Sequence, residues 1–233
     1  MPDQRDIQRL REEYAARKRD AKKQNLYAEH NPAHQFSIKN RTAALQSLLK
    51  KHQLEDLSGK RILEMGCGSG GVLRELCALG ADESRLVGVD LLMDSLRSAR
   101  SRLSHSVLLC ADGQSLPFPA ASFDLALQFT AFSSILDPGT RQRMAAEMLR
   151  LLKPAGALIW YDFWWNPLNK QTKGIGLSEI RTLFPGCVLD SLKITLAPPL
   201  ARLLLPRFGR PAACLERMRL LNTHYLVILR RKP

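Results

Sequence analysis

The stretch from Ile62 to Gly71 reads ILEMGCGSGG and concentrates glycine where a short apolar run ends. Glycine allows positive φ and lets the backbone pass close to a ligand. The free N–H groups at the start of a following helix can bind a negative group, such as a pyrophosphate or a carboxylate. Gly66, Gly68 and Gly71 fit the G-x-G-x-x-G spacing of dinucleotide-binding folds. This stretch alone leaves NAD, FAD and S-adenosylmethionine (SAM) open as its ligand.

Three acidic residues narrow that choice. Asp90 closes the next predicted strand, about 20 residues after the glycines, where a carboxylate can accept hydrogen bonds from ribose hydroxyls. Glu64 lies two residues before the first glycine. A carboxylate there would repel a pyrophosphate but would attract a cationic amino group. Asp112 follows a third predicted strand and is placed to reach an adenine amino group. Asp90 fits NAD, FAD and SAM alike, whereas Glu64 and Asp112 favour SAM, which has an amino group at its methionine end.

Four motifs, EMGCGSG, GVDLL, ADGQSLPF and SFDLALQF, occur in this order in the chain. With these motifs the sequence resembles the class I SAM-dependent methyltransferases, in particular the small-molecule branch that includes the type 11 enzymes. The resemblance covers about residues 58–163. It implies a Rossmann-like, doubly wound α/β fold with a seven-stranded sheet, mostly parallel with an antiparallel last strand. It also implies SAM as cofactor and S-adenosylhomocysteine as product.

The resemblance also implies a role for each matching position. The methionine moiety would lie against the glycine loop, the ribose on Asp90, and the adenine on Leu91 or Leu92. Two simpler interpretations stay open, because Asp112 could cap a turn and the leucines could be core residues. The residues that the resemblance assigns to the cofactor are Glu64, Gly66, Cys67, Gly68, Gly70, Asp90, Leu91, Asp112, Gly113, Gln128 and Phe129.

Residues 160–167, WYDFWWNP, contain all three tryptophans of the chain and follow the fifth predicted strand. Aromatic side chains at that end of a sheet could line an apolar substrate site or stabilise a sulfonium. They could equally pack against the later strands. We predict Trp164, Trp165 and Phe132 as substrate contacts, and Asp162 as an anchor for an amine or a base.

The segment EHNPAHQ holds two histidines at i,i+4 spacing, with Pro32 between them. The proline interrupts a continuous helix, so we predict no metal site. In related methyltransferases the segment before the first strand closes over cofactor and substrate. We therefore predict His30 and His34 as catalytic candidates and Tyr27 as a substrate contact, the alternative being exposed loop residues.

Methyl transfer is an in-line displacement at a carbon that the sulfonium already activates. The protein mainly has to position the two reactants. A general base helps only if the acceptor is a poorly acidic hydroxyl or a protonated amine. The reaction itself requires no metal.

Apolar strands alternate with helices from residue 60 onward, and this pattern predicts βαβ units and a parallel sheet. Strands are predicted at 61–65, 86–90, 107–110, 123–129, 157–163, 187–196 and 224–230. Before them, an exposed amphipathic helix is predicted over 6–24 and a second helix over 37–52. We predict an N-terminal helical cap over 1–57 and a methyltransferase domain over 58–233, with a helical insertion at about 197–222.

The 233-residue chain carries a net charge of +13, a balance that favours anionic partners. From residue 197 onward eight basic residues face one acidic residue, so 8 − 1 = +7 of this charge lies in the last 37 residues. The N-terminus has no apolar signal region, and no run is long enough to span a membrane. Five scattered cysteines fit a reducing compartment, and we expect a cytoplasmic protein.

Several functions stay open at this point. The first is O- or N-methylation of a small molecule, such as a natural-product intermediate or a sugar. The positive charge allows an RNA methyltransferase, although no separate nucleic-acid module is visible. A lipid-linked substrate at a membrane surface, a non-catalytic SAM-binding protein and an NAD-dependent oxidoreductase are further alternatives. Either a monomer or a homodimer is compatible with the sequence.

Overall fold

The computed structural model describes most of the chain. The described residues are 4–20, 25, 26, 28, 30–167, 169, 171–205 and 207–232. Tyr27, predicted as a substrate contact, lies outside the described residues.

Seven strands form one sheet in the order β3-β2-β1-β4-β5-β7-β6. Strand β7 pairs antiparallel with both of its neighbours, and the other pairs are parallel. This confirms the predicted fold class. The strands are β1 (Ile62–Met65), β2 (Leu86–Asp90), β3 (Val107–Cys110), β4 (Phe123–Phe129), β5 (Leu152–Phe163), β6 (Cys187–Leu196) and β7 (Asn222–Arg231).

Eight helices surround the sheet in the described part of the chain, together with two short 3₁₀ turns at Glu83–Arg85 and Phe132–Ser134. The helices are α1 (Gln4–Arg19), α2 (Pro32–Lys51), α3 (Gly71–Ala78), α4 (Met93–Arg100), α5 (Pro138–Leu151), α6 (Leu177–Leu183), α7 (Pro198–Leu204) and α8 (Gly209–Met218).

Both faces of the sheet are covered, which explains why β1, β2 and β4 read as nearly continuous apolar runs. Leucines of α2, α3 and α4 pack on one face, in the same core cluster as Ile62 and Tyr161. Side chains of α5 and α6 pack on the other face, with Leu63 and Trp160. Alternate residues of each strand thus serve different cores.

Helix α2 begins five residues earlier than the sequence prediction. Asn31 is its N-cap, and the Asn31 side chain accepts hydrogen bonds from the N–H groups of Ala33 and His34. Pro32 occupies the first helical position, where its missing N–H would have had no intrahelical partner. The proline that was expected to break the helix therefore starts it, and His34 lies in its first turn.

Helix α1 is not an isolated exposed helix, as was predicted, but docks on the loop after β4. The Asp6 carboxylate is buried and accepts hydrogen bonds from the backbone N–H groups of Leu136 (3.1 Å) and Asp137 (3.2 Å). Arg9 donates to the carbonyl oxygen of Ser134 at 2.6 Å. Leu10 adds an apolar contact with the core on the α5 side. These polar contacts fix the helix against the carboxyl ends of the strands.

The segment between β6 and β7 folds into two helices, α7 and α8. Ala201 and Ala212 pack with Ala33 of α2 and Leu196 of β6 in a small separate core. Glu216 accepts hydrogen bonds from the N–H groups at the end of β6 and thereby anchors α8 to the sheet. Within the described residues, none of the helices is long and apolar enough to cross a bilayer.

Candidate active site

The glycine loop between β1 and α3 requires glycine on geometric grounds. Gly66, Gly68 and Gly70 have φ values of 76°, 53° and 78°, in the left-handed region that favours glycine. A Cβ on Gly66 would lie 2.6 Å from the Cβ of Ala131, whereas a Cβ on Gly68 would meet no atom within 4 Å. The loop therefore packs tightly against the turn after β4 at Gly66, and leaves open space beside its backbone at Gly68.

Asp90 ties the end of β2 to the glycine loop. One carboxylate oxygen accepts the N–H of Gly68 at 2.8 Å, and the other accepts the N–H of Leu92 at 2.9 Å. The two carboxylate oxygens thus fix the backbone of the loops that follow β1 and β2. The placement fits two neighbouring ribose hydroxyls, as predicted for Asp90.

Glu64 lies in β1, just before the glycine loop, and its side chain is 2% exposed. Its Oε2 atom has no hydrogen-bond partner among the described residues. Burial raises the pKa of this carboxyl to about 8, although the nearby Arg41 guanidinium acts in the opposite direction. A buried, unpartnered carboxylate oxygen is costly unless a cation or a donor reaches it. The amino group of SAM is such a partner, so the chemistry of Glu64 fits the cofactor.

Glu64→Gln is expected to stabilise the cofactor-free protein at pH 9, by roughly 5 °C in Tm, and to change Tm little at pH 5. Because the folded-state pKa is raised from 4.5 to about 8, the stability that Glu64 contributes is fully present below pH 4.5 and is lost as the pH rises towards 8. The glutamine side chain of the variant would carry no charge at either pH. Differential scanning calorimetry at both pH values, with the exposed Glu55→Gln as control, measures this. An equal Tm difference at pH 5 and pH 9 would contradict the assigned pKa.

A cleft of about 340 Å³ lies between α1 and the turn after β2. Leu91 and Leu92 line it on one side, and Arg11 and Tyr14 of α1 line it on the other. Apolar walls next to the ribose position suit an adenine ring, as predicted for Leu91. The Tyr14 hydroxyl lies 3.3 Å from Oγ of Ser134, and burial raises the pKa of Tyr14.

Asp112 caps its own turn, which was the simpler interpretation of the motif. Its carboxylate accepts hydrogen bonds from the backbone N–H of Gln114 (3.0 Å) and from the Gln114 side chain. The side chain remains half-buried, so this geometry does not preclude contact with an adenine amino group. Gly113 is needed for packing, since a Cβ there would lie 2.5 Å from the sulfur of Met65.

Two residues predicted at the site, Gln128 and Phe132, are buried at the turn after β4. Gln128 has no exposed surface, and its Oε1 accepts the N–H groups of Ala131 (3.1 Å) and Phe132 (3.4 Å). The Phe132 ring is also fully buried and packs on Trp160, with ring centroids 4.8 Å apart. Both side chains are thus engaged within the protein, and their contact with cofactor or substrate stays a prediction. Phe129, 6% exposed, forms part of the wall described next.

The aromatic segment divides between the two faces of the sheet because successive residues of a strand point in opposite directions. Tyr161 and Phe163 lie on the α2 side, where both contact the His224 ring, with centroids 4.7 and 3.8 Å away. Trp160 enters the opposite core. Tyr161 also lies 5.4 Å from Phe129, so these four rings form an aromatic wall at the ends of β4, β5 and β7.

The tryptophans after β5 do not form this wall. Trp164 donates a hydrogen bond from Nε1 to the carbonyl oxygen of Asn222, and its ring packs beneath Lys193 and beside Tyr225. This is the predicted alternative of packing against the late strands. Trp165 is 53% exposed. The structure therefore does not support Trp164 as a substrate contact, because its ring and its N–H are already engaged by β6 and β7.

The three catalytic candidates differ in accessibility. Asp162 has no exposed surface, and its two oxygens accept the N–H groups of Ser133 (3.0 Å) and Phe163 (2.8 Å). Burial raises the Asp162 pKa to about 6, and in this arrangement the carboxyl anchors the turn after β4. His30 is exposed beside Asn25, with 3.1 Å between Nε2 and Oδ1, and His34 is half-buried in the first turn of α2.

Sequence reasoning missed Arg41 and His224 as site residues. Arg41 extends from α2 over the rings of Phe129 (5.3 Å) and Tyr161 (5.4 Å) and forms an ion pair with Glu75. Burial lowers the pKa of His224 to about 3, and Arg41 adds to this effect. No motif marks either residue, since only the packing of α2 and β7 on the strand ends brings them together.

The sheet order, the glycine loop and the acid at the end of β2 define a doubly wound α/β protein that holds a nucleoside cofactor at the carboxyl ends of its strands. Residues 62–156 match the family described as methyltransferase domain. Residues 62–156 therefore form a SAM-dependent methyltransferase domain, and the chain uses SAM as methyl donor. These findings confirm the resemblance and the cofactor that the motifs implied.

Two curated relatives and one solved structure illustrate the similarity. A fatty-acid O-methyltransferase of Mycolicibacterium smegmatis is 29% identical over 195 residues, which are 76% of this chain and 70% of that protein. A ubiquinone/menaquinone biosynthesis C-methyltransferase of Syntrophotalea carbinolica is 33% identical over 129 residues, and the match spans 54% of this chain and 52% of that protein. A SAM-dependent methyltransferase of Archaeoglobus fulgidus shares the fold, with a TM-score of 0.57 at 15% identity over 84% of this chain and 98% of that chain.

Proposed function

We propose that the chain methylates an acidic oxygen, a carboxylate or a phenolate, at one end of an apolar small molecule. The observation that carries this proposal is the aromatic wall with Arg41 lying over two of its rings. Aromatic faces favour an apolar substrate body. A guanidinium is the cation best suited to pair with a carboxylate, through planar, directed N–H groups.

Arg41 has donor capacity left for such a ligand. Its ion pair with Glu75 uses one of the two terminal nitrogens, Nη2. Its buried Nε has no hydrogen-bond partner among the described residues. A buried donor without a partner carries a desolvation cost of about 1–3 kcal/mol. An acceptor oxygen bound beside Phe129 and Tyr161 would remove that cost.

The protonation states at this end of the sheet also favour an acceptor that is already anionic. His224 is 3% exposed and its pKa is lowered to about 3, which makes it a weak base. Asp162 is occupied by two backbone N–H groups. A carboxylate acceptor needs no base, since SAM supplies a methyl group that its sulfonium already activates, and positioning is then the main requirement. For a poorly acidic alcohol, His34 and His30 remain the proposed bases.

The proposed cofactor contacts follow the geometry. Asp90 takes the ribose hydroxyls, Leu91 lines the adenine site with α1, and Glu64 takes the amino group. Asp112 remains the proposed partner of the adenine amino group, with backbone contacts from Gly68 and its neighbours in the glycine loop. Helices α1 and α2, within the proposed N-terminal cap over 1–57, close the site from above.

The printed names of two relatives support an apolar acceptor. One relative is a fatty-acid O-methyltransferase and another a quinone-biosynthesis C-methyltransferase. A quinone precursor offers a phenolic oxygen and an adjacent carbon, so C-methylation of such a ring is the second candidate. Sugars and RNA, which the sequence left open, gain no support from an aromatic wall beside Arg41.

The test is a product assay with radiolabelled SAM and a matched series of acceptors. Dodecanoic acid and a long-chain alkylphenol are expected to be methylated, whereas dodecanol and dodecylamine are expected to give no product. Mass spectrometry of the product distinguishes a methyl ester or ether from ring methylation. Turnover of the alcohol or the amine, with none of the acids, would refute an acidic acceptor.

Arg41→Met is expected to raise the KM for the acid acceptor by about tenfold or more, because one charged hydrogen bond is lost. The Kd of SAM, measured by calorimetry, should stay within about twofold. Glu75→Gln is the matched control, since it breaks the same ion pair but keeps the guanidinium, and it should leave KM nearly unchanged. A raised Kd of SAM with an unchanged KM would instead place Arg41 at the cofactor and contradict this assignment.

A further inference from the structure

The hairpin formed by α7 and α8, together with the turn up to residue 221, exposes an unusual amount of apolar surface. Five of its large apolar side chains are between 46% and 76% exposed, and they make up more than half of such residues in the described part of the chain. These side chains are Leu203, Phe208, Met218, Leu220 and Leu221. Apolar side chains clustered on one exposed element indicate an interaction surface.

The same hairpin is strongly basic. It contains five arginines, no lysine and one acidic residue, which gives 5 − 1 = +4. The acidic residue, Glu216, is buried and accepts hydrogen bonds from Thr195 and Leu196. None of the arginines forms an ion pair within the described residues. The arginines are Arg202, Arg207, Arg210, Arg217 and Arg219.

Helix α8 has two distinct faces. Ala212 and Glu216 point inward, whereas Arg210, Cys214 and Arg217 are exposed. The exposed residues recur at helical spacing, so they share one side of the helix. The helix ends at Met218, and its C-cap residue, Arg219, adopts a left-handed conformation with φ of 60°. The chain thereby turns, and the two leucines that follow remain on the outside.

We propose that this hairpin is a membrane-binding foot that lies on the surface of an anionic phospholipid bilayer. A helix with a basic face, flanked by exposed leucine, phenylalanine and methionine, has the composition of an interfacial helix. Unpaired arginines complement anionic headgroups, and the apolar side chains enter the region between headgroups and acyl chains. RNA would use the arginines but leave four exposed aliphatic side chains without stacking partners.

This inference does not depend on the nature of the acceptor. The foot lies beside the first turn of α2, because Ala201 and Ala212 pack against Ala33. The bilayer surface would therefore adjoin His34, in the first turn of α2, and His30, just before the helix. An apolar acceptor could then pass from the membrane to the site without crossing water.

Flotation of the purified protein with lipid vesicles tests the proposal. The protein is expected to float with vesicles of phosphatidylglycerol and phosphatidylcholine, and not with phosphatidylcholine alone. Leu220→Ser/Leu221→Ser and, separately, Arg210→Glu/Arg217→Glu should each weaken binding about tenfold. Arg97→Glu/Arg181→Glu, an equal charge change at exposed sites on α4 and α6, should bind within about threefold of the unmodified protein.

Two results would overturn the proposal that this hairpin binds membranes. One is absence of binding to the anionic vesicles. The other is vesicle binding that the leucine variant retains in full and that an RNA oligonucleotide displaces, which would assign the arginines to nucleic acid. Circular dichroism and the Kd of SAM for each variant show that the fold and the cofactor site are intact. Methylation of a water-soluble short-chain acid is measured separately, so loss of the proposed function and loss of the foot can be told apart.

Discussion

Asp90→Ala is expected to raise the Kd of SAM by about 100-fold, which corresponds to about 2.8 kcal/mol. The carboxylate has two tasks at once. It holds the N–H groups of Gly68 and Leu92, and in the proposed function it also binds the ribose hydroxyls. The alanine variant would lose both the contacts with the ribose hydroxyls and the tie that shapes the glycine loop. Isothermal titration calorimetry with SAM and S-adenosylhomocysteine measures the effect.

Two further variants separate the causes. Asp56→Ala makes the same chemical change in an exposed loop and should leave the Kd within about twofold. Asp90→Asn keeps the shape of the side chain but removes its charge, and an increase of about tenfold is expected. If Asp90→Ala binds SAM as tightly as the unmodified chain, the ribose lies elsewhere and the proposed cofactor contacts are wrong.

Gly66→Ala is expected to destabilise the protein by about 3 kcal/mol, which lowers Tm by roughly 8 °C for a chain of this size. Two effects add. A left-handed φ of 76° is unfavourable for alanine, and the new Cβ would lie 2.6 Å from the Cβ of Ala131. Either the loop or the turn after β4 has to move, so SAM affinity should fall as well. Thermal unfolding without and with SAM measures both effects.

Gly68→Ala is the matched comparison in the cofactor-free protein. Its φ of 53° is also left-handed, but an added Cβ would meet no atom within 4 Å. Only the backbone effect remains, so a loss of about 1 kcal/mol is expected. In the double variant Gly66→Ala/Ala131→Gly the steric part should be recovered. Equal destabilisation by Gly66→Ala and Gly68→Ala would show that the contact with Ala131 is not tight.

The parts of the fold that follow from local pattern could be predicted from the sequence. Strands β1, β2 and β4 are short apolar runs, and their bounds agree with the prediction to within about a residue because both faces of each strand are buried. The acids at positions 64 and 90 lie at strand ends, where a parallel sheet collects its ligand-binding residues. Position in the pattern was therefore enough to predict where these two acids lie, and their contacts with SAM stay a prediction.

The parts that depend on contacts between distant segments could not be predicted. Asp6 contacts residues 130 positions away, so nothing in the sequence near α1 reveals that the helix docks. Gln128 follows the family motif, yet its amide supports a turn that only the three-dimensional path of the chain defines. The three tryptophans appear as one group in the sequence, but strand alternation and the turn after β5 send them to different surroundings.

Strand β7 lies between β5 and β6, although it is made after both. During synthesis on the ribosome, β5 therefore presents an unpaired edge, and β6 has no neighbour to join, until residues 222–231 emerge. Open edges of apolar strands pair readily with other chains. The nascent protein is thus most vulnerable to aggregation just before its last strand appears, and it is at that stage that a chaperone would benefit it most.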